Sequence, residues 1–367
     1  MNNIVDIIFP YDLARLPKEK LVEIAPIFDL ATNVQGIILA DGIWDKIKGD
    51  NASKQSILHI IRETIFCGRS CITWYRLTEQ QKNLDLKKIF TTKLTYNPFE
   101  EIKVSASSQG IVETILGGVD LGDSKYLLRY IVKTGIHKVS YGTEIITQPL
   151  TSMVTIYIDQ QKGFIEVRCD SKAIKKTETM LGNIIGSSTE EVIERISIRP
   201  YAENIGDLAQ VLGGVLIETN SIPDKILKTL QEDQIRAIVN ALRALDCYFD
   251  DGESDRLLED IQSSKNVLET DEEFIGIPFT AIVLAGMHKL GLSLGKESEC
   301  DLKNHPLFAT LNPYLQHQNG FIRFKAIEDG VEQRHTIKVG MSSDSVSFWT
   351  FATEKAIETI RQKLGID

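Results

Sequence analysis

The sequence predicts an α+β protein, and three observations carry this prediction. Segments with helical apolar spacing and segments with alternating apolar and polar residues occupy separate blocks of the chain. Residues 171–182 align without a gap with residues 354–365, with five of twelve positions identical, and a β-rich stretch precedes each copy. We therefore expect a small N-terminal helical domain and two hairpin-plus-helix sheet units related by a candidate internal repeat, with a helical insert between them.

Residues 1–68 are expected to form the N-terminal helical domain. The stretch NIVDIIF at residues 3–9 predicts a short strand or extended arm that ends before Pro10. Residues 37–47 and 54–66 then show helical spacing, the second with isoleucines on one face.

Residues 69–200 are expected to form a mixed α/β unit. Alternation and β-forming residues predict strands at residues 71–77 and 87–96, whereas Ile111–Leu116 and Lys125–Thr134 are interpreted as helices. The strongest hairpin signal joins Thr151–Ile158 to Phe164–Arg168, and the first repeat helix begins at Ser171.

Two further segments complete the predicted organisation. Residues 201–318 are expected to be acidic and mainly helical, and residues 319–367 to form a C-terminal β-β-β-α unit with a tight turn at 328–330. The segments of the insert with helical spacing are Pro223–Leu230, Asp233–Phe249, Ser254–Ser263 and Pro278–Leu290.

The two halves of the chain differ in net charge. The 367 residues carry a formal net charge of −10, yet residues 1–200 sum to +1 and the remainder to −11. Phosphates would be repelled by the second half, so any nucleic acid is expected to contact the first.

No apolar run reaches the length of about 18 residues that spans a bilayer, and the five cysteines lack framework spacing. We expect a cytoplasmic protein with neither disulfides nor a membrane partner.

Residues 62–103 mix basic and aromatic side chains, a composition found in nucleic-acid grooves. The alternative is a half-buried sheet whose outer face is solvated by lysine and arginine, and we favour it because no nucleic-acid motif accompanies the stretch. The candidate nucleic-acid-binding residues, including three from the first repeat, are Arg69, Trp74, Arg76, Lys87, Lys88, Lys93, Lys172, Lys175 and Lys176.

The sequence supports no assignment of a catalytic residue, metal ligand or cofactor. Cys67 and Cys71 have four-residue spacing and no neighbouring cysteine pair, so buried thiols are favoured over a metal site. Asp159 and Glu166 could share Mg²⁺ in a nuclease, but Arg168 stands where such sites usually place lysine, and arginine cannot release a proton to activate water. We favour a surface ion pair between Glu166 and Arg168.

These observations favour a non-catalytic binding or assembly subunit of a multi-component system, which contacts a protein partner, a second copy of itself or nucleic acid. Two alternatives stay open. One is an adaptor whose acidic helical insert docks a basic protein. The other is a metal-dependent nuclease or hydrolase whose site is dispersed along the chain.

Overall fold

The computed structural model describes residues 1–103, 113–186, 193–199, 204–223, 231–269, 290–294 and 300–366. The chain is an α+β protein, as the sequence predicts. It divides into two compact units, the first comprising Met1–Glu203, Leu208–Gly214 and Ile322–Asp367, and the second Asn204–Asp207 and Val215–Phe321. The predicted segments 1–68 and 69–200 thus lie together in the first unit.

The elements follow one another in mixed order along the chain. The helices are α1 (Pro10–Ala14), α2 (Lys18–Ile24), α3 (Gly36–Ile47), α4 (Asn51–Ile61), α5 (Glu79–Lys82), α6 (Leu86–Leu94), α7 (Ile174–Ile185), α8 (Ile205–Val211), α9 (Glu232–Asp251), α10 (Ser254–Leu268), α11 (Pro306–Leu311) and α12 (Glu354–Lys363). The strands are β1 (Cys71–Arg76), β2 (Thr114–Gly122), β3 (Lys125–Tyr141), β4 (Glu144–Asp159), β5 (Phe164–Cys169), β6 (Glu194–Arg195), β7 (Val215–Pro223), β8 (Leu290–Ser293), β9 (Leu315–Glu328), β10 (Val331–Gly340) and β11 (Ser345–Phe348). Helix α8 and strand β9 each have residues in both units.

The first unit is built on a sheet with the strand order β2-β3-β4-β5-β1-β11-β10-β9. The pairings from β2 through β10 are antiparallel, and β6 pairs with the end of β1. The predicted hairpin is confirmed as β4–β5, with Thr155 opposite Arg168. In the same register Glu166 lies opposite Trp74 of β1, so these two side chains share one face of the sheet.

Two faces of this sheet are buried by different helices. Helix α6 packs against α7, and both contribute to an apolar core with strand residues such as Tyr75, Ile165 and Val167 on the first face. On the second face, apolar residues of α1–α4 pack around Val119 and Leu127. Helix α12 also meets the second face, where Arg361 contacts Glu166.

The two repeat segments place their matched apolar residues in the interior. Ala173 and Leu181 of the first copy are fully buried, as are Ala356 and Ile357 of the second. In each copy, however, the helix covers a different face of the sheet, α7 the first and α12 the second. The apolar pattern that the two segments share therefore reflects the burial of one face of each helix, although the two helices pack in different surroundings.

Four segments differ from the structure that their patterns predict. Residues 87–96, predicted as a strand, lie largely in α6, where Leu86, Ile89 and Phe90 have helical spacing and Asp85 caps the first turn. Lys125–Thr134, predicted as helix, lies in β3, and the described end of Ile111–Leu116 lies in β2. Both faces of the first half of β3 are covered, so apolar residues occur consecutively there and alternation disappears. Residues 3–9 contain a 3₁₀ helix instead of a strand.

The second unit contains the helix pair α9–α10, the strands β7 and β8, the first half of β9 and the helix α11. Gly252, with φ 74°, ends α9 in the left-handed conformation that glycine adopts readily. The helices predicted at Pro223–Leu230 and Pro278–Leu290 lie almost wholly outside the described residues. None of the helices in the described ranges is both long and apolar enough to span a membrane.

Candidate functional site

Glu166 and Arg168 belong to a buried charge cluster on the second face of the first unit's sheet, together with Trp74, Glu354 and Arg361. Glu166 accepts hydrogen bonds from Trp74 Nε1 at 2.7 Å, Arg168 Nε at 2.6 Å and an Arg361 guanidinium nitrogen at 3.0 Å. The two terminal nitrogens of Arg168 donate to the two carboxylate oxygens of Glu354 at 2.5 and 2.7 Å.

The predicted surface ion pair is therefore wrong in its location. The pair between Glu166 and Arg168 forms, but Glu166 has no exposed surface and Arg168 is 2% exposed. The sequence shows only that the two residues share a face of β5, and it does not show that α12 covers that face. Burial opposes ionisation of Glu166, yet the charges of Arg168 and Arg361 prevail and lower the pKa of its carboxyl.

The dispersed nuclease site does not gain a metal-binding arrangement. Both carboxylate oxygens of Glu166 accept hydrogen bonds, from two guanidinium groups and an indole. Asp159, at the end of β4, accepts a hydrogen bond from the Lys162 backbone N–H at 3.0 Å within the hairpin turn. Within the described ranges, no cluster of three or more His, Cys, Asp and Glu side chains could hold a metal ion.

Cys67 borders the charge cluster as a buried thiol. Its Sγ donates to Glu354 Oε1 at 3.3 Å and accepts from Arg168 at 3.4 Å. Burial, reinforced by the charge of Glu354, raises the pKa of the Cys67 thiol well above its ordinary value. The group is therefore protonated at neutral pH and is a poor nucleophile.

Six of the predicted binding residues come together on neighbouring helical segments. Lys87, Lys88 and Lys93 lie on α6, while Lys172 precedes α7 in a 3₁₀ turn and Lys175 and Lys176 lie on α7. The two groups are about 80 residues apart in sequence. Since α6 packs against α7, the fold brings the two groups onto adjoining helical segments of the first unit.

Four of these lysines form the surface that we call the basic helix pair: Lys88, Lys93, Lys172 and Lys175. All four are exposed, and none of them forms an ion pair within the described part of the chain. Lys87 and Lys176 differ, because they pair with Asp120 at 3.0 Å and with Glu113 at 2.6 Å. The exposed residues of α6 and α7 themselves are lysine, threonine and asparagine, and the one carboxylate of these helices, Glu178, is 25% exposed and pairs with Arg195.

The remaining predicted residues lie elsewhere in the first unit. Trp74 is fully buried and its indole N–H is used by Glu166, so its ring offers no face for a base to stack on. Arg69 is exposed and lies over the ring of Phe351, 4.6 Å from its centroid. Arg76 is exposed at the end of β1, where it pairs in register with Phe164 and Glu194.

One polar constellation in the second unit has no counterpart among the sequence predictions. His317 of β9 lies 2.7 Å from Ser221 Oγ through Nδ1, and 2.6 Å from Asn312 Oδ1 through Nε2. A hydroxyl, an imidazole and an orienting third group are the parts of a nucleophilic site. The three residues occur in no motif and are separated by up to 96 positions, so nothing in the sequence connects them.

The surroundings of His317 nevertheless favour a structural network over catalysis. Ser221 is 1% exposed, and the Thr219 hydroxyl lies 3.0 Å from the same imidazole nitrogen. Burial lowers the pKa of His317 to about 4, which makes the imidazole a weak base at neutral pH. The network links β7 to β9 within the second unit.

Comparison with known proteins provides no family assignment. The sequence matches no protein-family model, and no curated protein is significantly similar to it.

Proposed function

We propose that this protein is a non-catalytic binding or assembly subunit that contacts nucleic acid through the basic helix pair. The observation that supports the proposal is the set of four exposed lysines without ion pairs on α6, on α7 and in the 3₁₀ turn before α7, where the one carboxylate of α7, Glu178, is paired with Arg195. The burial of Trp74 moves the proposed contact from the aromatic strand β1 to the lysines of the two helices.

The chemistry of this surface fits phosphate groups better than base edges. Lysine ammonium groups are point charges that attract phosphates and release condensed counterions, whereas aromatic faces would add stacking. If all four lysines contact phosphates of a single strand, the logarithm of the binding constant should fall with that of salt concentration at a slope of about −3. The expected binding is independent of sequence and weakens in salt.

The test is titration of fluorescently labelled single-stranded and duplex oligonucleotides with the full chain over a series of salt concentrations. We expect the charge reversals K88E/K93E and K172E/K175E each to weaken binding at least about tenfold and to reduce the salt slope by about 1.5, as two phosphate contacts are lost. The control K18E/K46E makes the same charge change at two exposed lysines of the N-terminal helices. This control variant should show the same salt dependence of binding as the wild type.

Two outcomes would contradict the proposal. Equal weakening by all three variants would mean that net charge, and not this surface, governs association. Absence of binding by the wild type at low salt, together with stoichiometric co-purification of a basic protein, would favour the acidic second half as the interaction surface.

A further inference from the structure

A small hollow opens on the second face of the first unit's sheet, beside the buried charge cluster. It contains about 270 Å³ of atom-free space, part of it open to solvent. Its polar lining includes the side chains of Tyr11, Arg15, Ser70, Arg129, Thr155 and Arg168. We call it the arginine hollow.

Strand register explains why two arginines meet there. Arg129 of β3 lies opposite Thr155 of β4, which lies opposite Arg168 of β5. The three side chains therefore form one row across three strands on the same face. Helix α1 adds Asp12, and Arg15 follows at the end of that helix.

The three arginines of the hollow are matched in number by three nearby carboxylates, but the ion pairs are unevenly distributed. Asp12 pairs with Arg129, while Glu166 and Glu354 pair with Arg168. Arg15 instead donates to neutral oxygens, the hydroxyl of Tyr11 and the backbone carbonyl of Arg69. Within the described residues its guanidinium has no carboxylate partner, so one positive charge at the hollow is not neutralised by an ion pair.

Arg129 supplies an independent indication of a missing ligand. It is 1% exposed, and although one terminal nitrogen donates to Asp12 and the other to Thr155, its Nε has no hydrogen-bond partner in the described structure. A buried N–H without an acceptor is unfavourable and uncommon, particularly on a charged group. An acceptor oxygen in the hollow would satisfy it.

We propose that the arginine hollow binds a phosphate group, either as inorganic phosphate or as the end of a phosphomonoester. Arginine presents a planar set of donors that suits tetrahedral oxyanions, and the Tyr11 hydroxyl adds a neutral donor at the rim. Asp12 and the Cys67 thiol line the hollow and could oppose an anion, and so could the carboxylates of Glu166 and Glu354, which both pair with Arg168. Asp12 is already neutralised by Arg129, and the thiol is uncharged.

The experiment is calorimetric titration of the full chain with inorganic phosphate and with phenyl phosphate at constant ionic strength, using chloride as the non-specific anion. We expect saturable one-to-one binding of phosphate but not of chloride. Arg15→Gln should weaken it at least about tenfold, as expected for loss of a charge-assisted contact. Arg243→Gln, which removes an exposed arginine from α9, should bind phosphate like the wild type.

Each result bears on the proposal. Binding of both ligands assigns the hollow to phosphomonoesters, and binding of phosphate alone assigns it to the inorganic ion. Should Arg15→Gln fail to fold, Tyr11→Phe removes one donor from the rim and should lower the affinity severalfold. No saturable binding by the wild type, or unchanged binding in the Arg15 and Tyr11 variants, would overturn the proposal and leave a water molecule as the acceptor for Arg129. These substitutions leave the basic helix pair intact, so either proposal can be refuted without affecting the other.

Discussion

Single residues of the first unit's sheet have roles that depend on which face they occupy. Trp74 and Tyr75 are adjacent on β1, yet Trp74 donates to Glu166 on one face and Tyr75 donates to Glu178 on the other. Glu178 pairs with Arg195 and Glu166 with Arg361, so each face has its own partly or fully buried ion pair. Because alternate residues of a strand point to opposite faces, a shift of one position would disconnect both networks.

Glu166→Gln should destabilise the first unit by about 3 kcal/mol, since removing one partner of a buried ion pair leaves uncompensated charge. Arg168 and Arg361 would lose a shared carboxylate that has no exposed surface. Glu354→Gln is the matched control, because it removes the other carboxylate partner of Arg168 from a side chain that is 38% exposed and should cost less. Urea denaturation followed by tryptophan fluorescence measures both, because Trp44, Trp74 and Trp349 all lie in the first unit. Equal midpoints for Glu166→Gln and the wild type would show that the cluster contributes no net stability.

Burial alone does not decide which elements were predicted, since β5 is buried at every position and was predicted, whereas α6 has an exposed face and was predicted as a strand. The hairpin β4–β5, the turn between β9 and β10, and helices α3 and α9 follow their sequence patterns closely. β3 was assigned to the wrong class because its residues from Tyr126 to Val132 are covered on both faces. The basic residues of α6 and α7 were identified, but their proximity depends on helix packing between segments distant in sequence. The arginine hollow depends on the register of three strands, which no local pattern encodes.

The strands β7 and β9 of the second unit are joined by His317, and this contact should make that unit sensitive to acid. The imidazole has a pKa of about 4 when folded and an ordinary value of 6.5 when exposed. The unfolded chain therefore binds the proton first, so stability is constant above pH 6.5 and falls as pH decreases toward 4. The loss attributable to this group is about 3 kcal/mol, an upper value because the side chain is partly solvated.

Hydrogen exchange of β7 and β9 peptides between pH 7 and pH 4, corrected for intrinsic exchange rates, measures this loss. His317→Gln removes the titrating group and should abolish the additional pH dependence in these peptides. Peptides from the β4–β5 hairpin serve as the internal control in the same samples. A pH dependence that persists unchanged in the variant would assign acid sensitivity to other groups.

At the scale of the whole molecule, segments distant in sequence combine to form the first unit. The first unit combines residues from the beginning of the chain with Ile322–Asp367 at its other end. Helix α12 provides both apolar contacts and the two side chains, Glu354 and Arg361, that neutralise the charges on β5. The division of the chain into a nearly neutral first half and an acidic remainder thus does not coincide with its division into units.

Deletion of residues 354–367 should prevent the first unit from folding, although the deletion leaves all strands of its sheet in place. Ile357 and Ile360 are fully buried and Leu364 is 1% exposed, and burial of three such side chains is worth about 6 kcal/mol. The deletion also leaves Glu166 and Arg168 facing solvent or an apolar gap without Arg361 and Glu354. Together these losses are comparable with the whole stability of a domain, about 5–15 kcal/mol.

Circular dichroism and near-ultraviolet spectra of the truncated chain, compared with those of Glu358→Ala, test this expectation. Glu358 lies on the exposed side of α12, and its carboxylate contacts only Gln362 of the same helix among the described residues. Its removal should leave the melting temperature nearly unchanged. A synthetic peptide of residues 354–367 added in excess should restore tertiary signals if the truncated chain stays soluble, because a peptide that binds only the folded state shifts the folding equilibrium toward it. A truncated chain that melts cooperatively at the wild-type temperature would show that the sheet folds without its C-terminal helix and without the charge cluster that Glu354 and Arg361 complete.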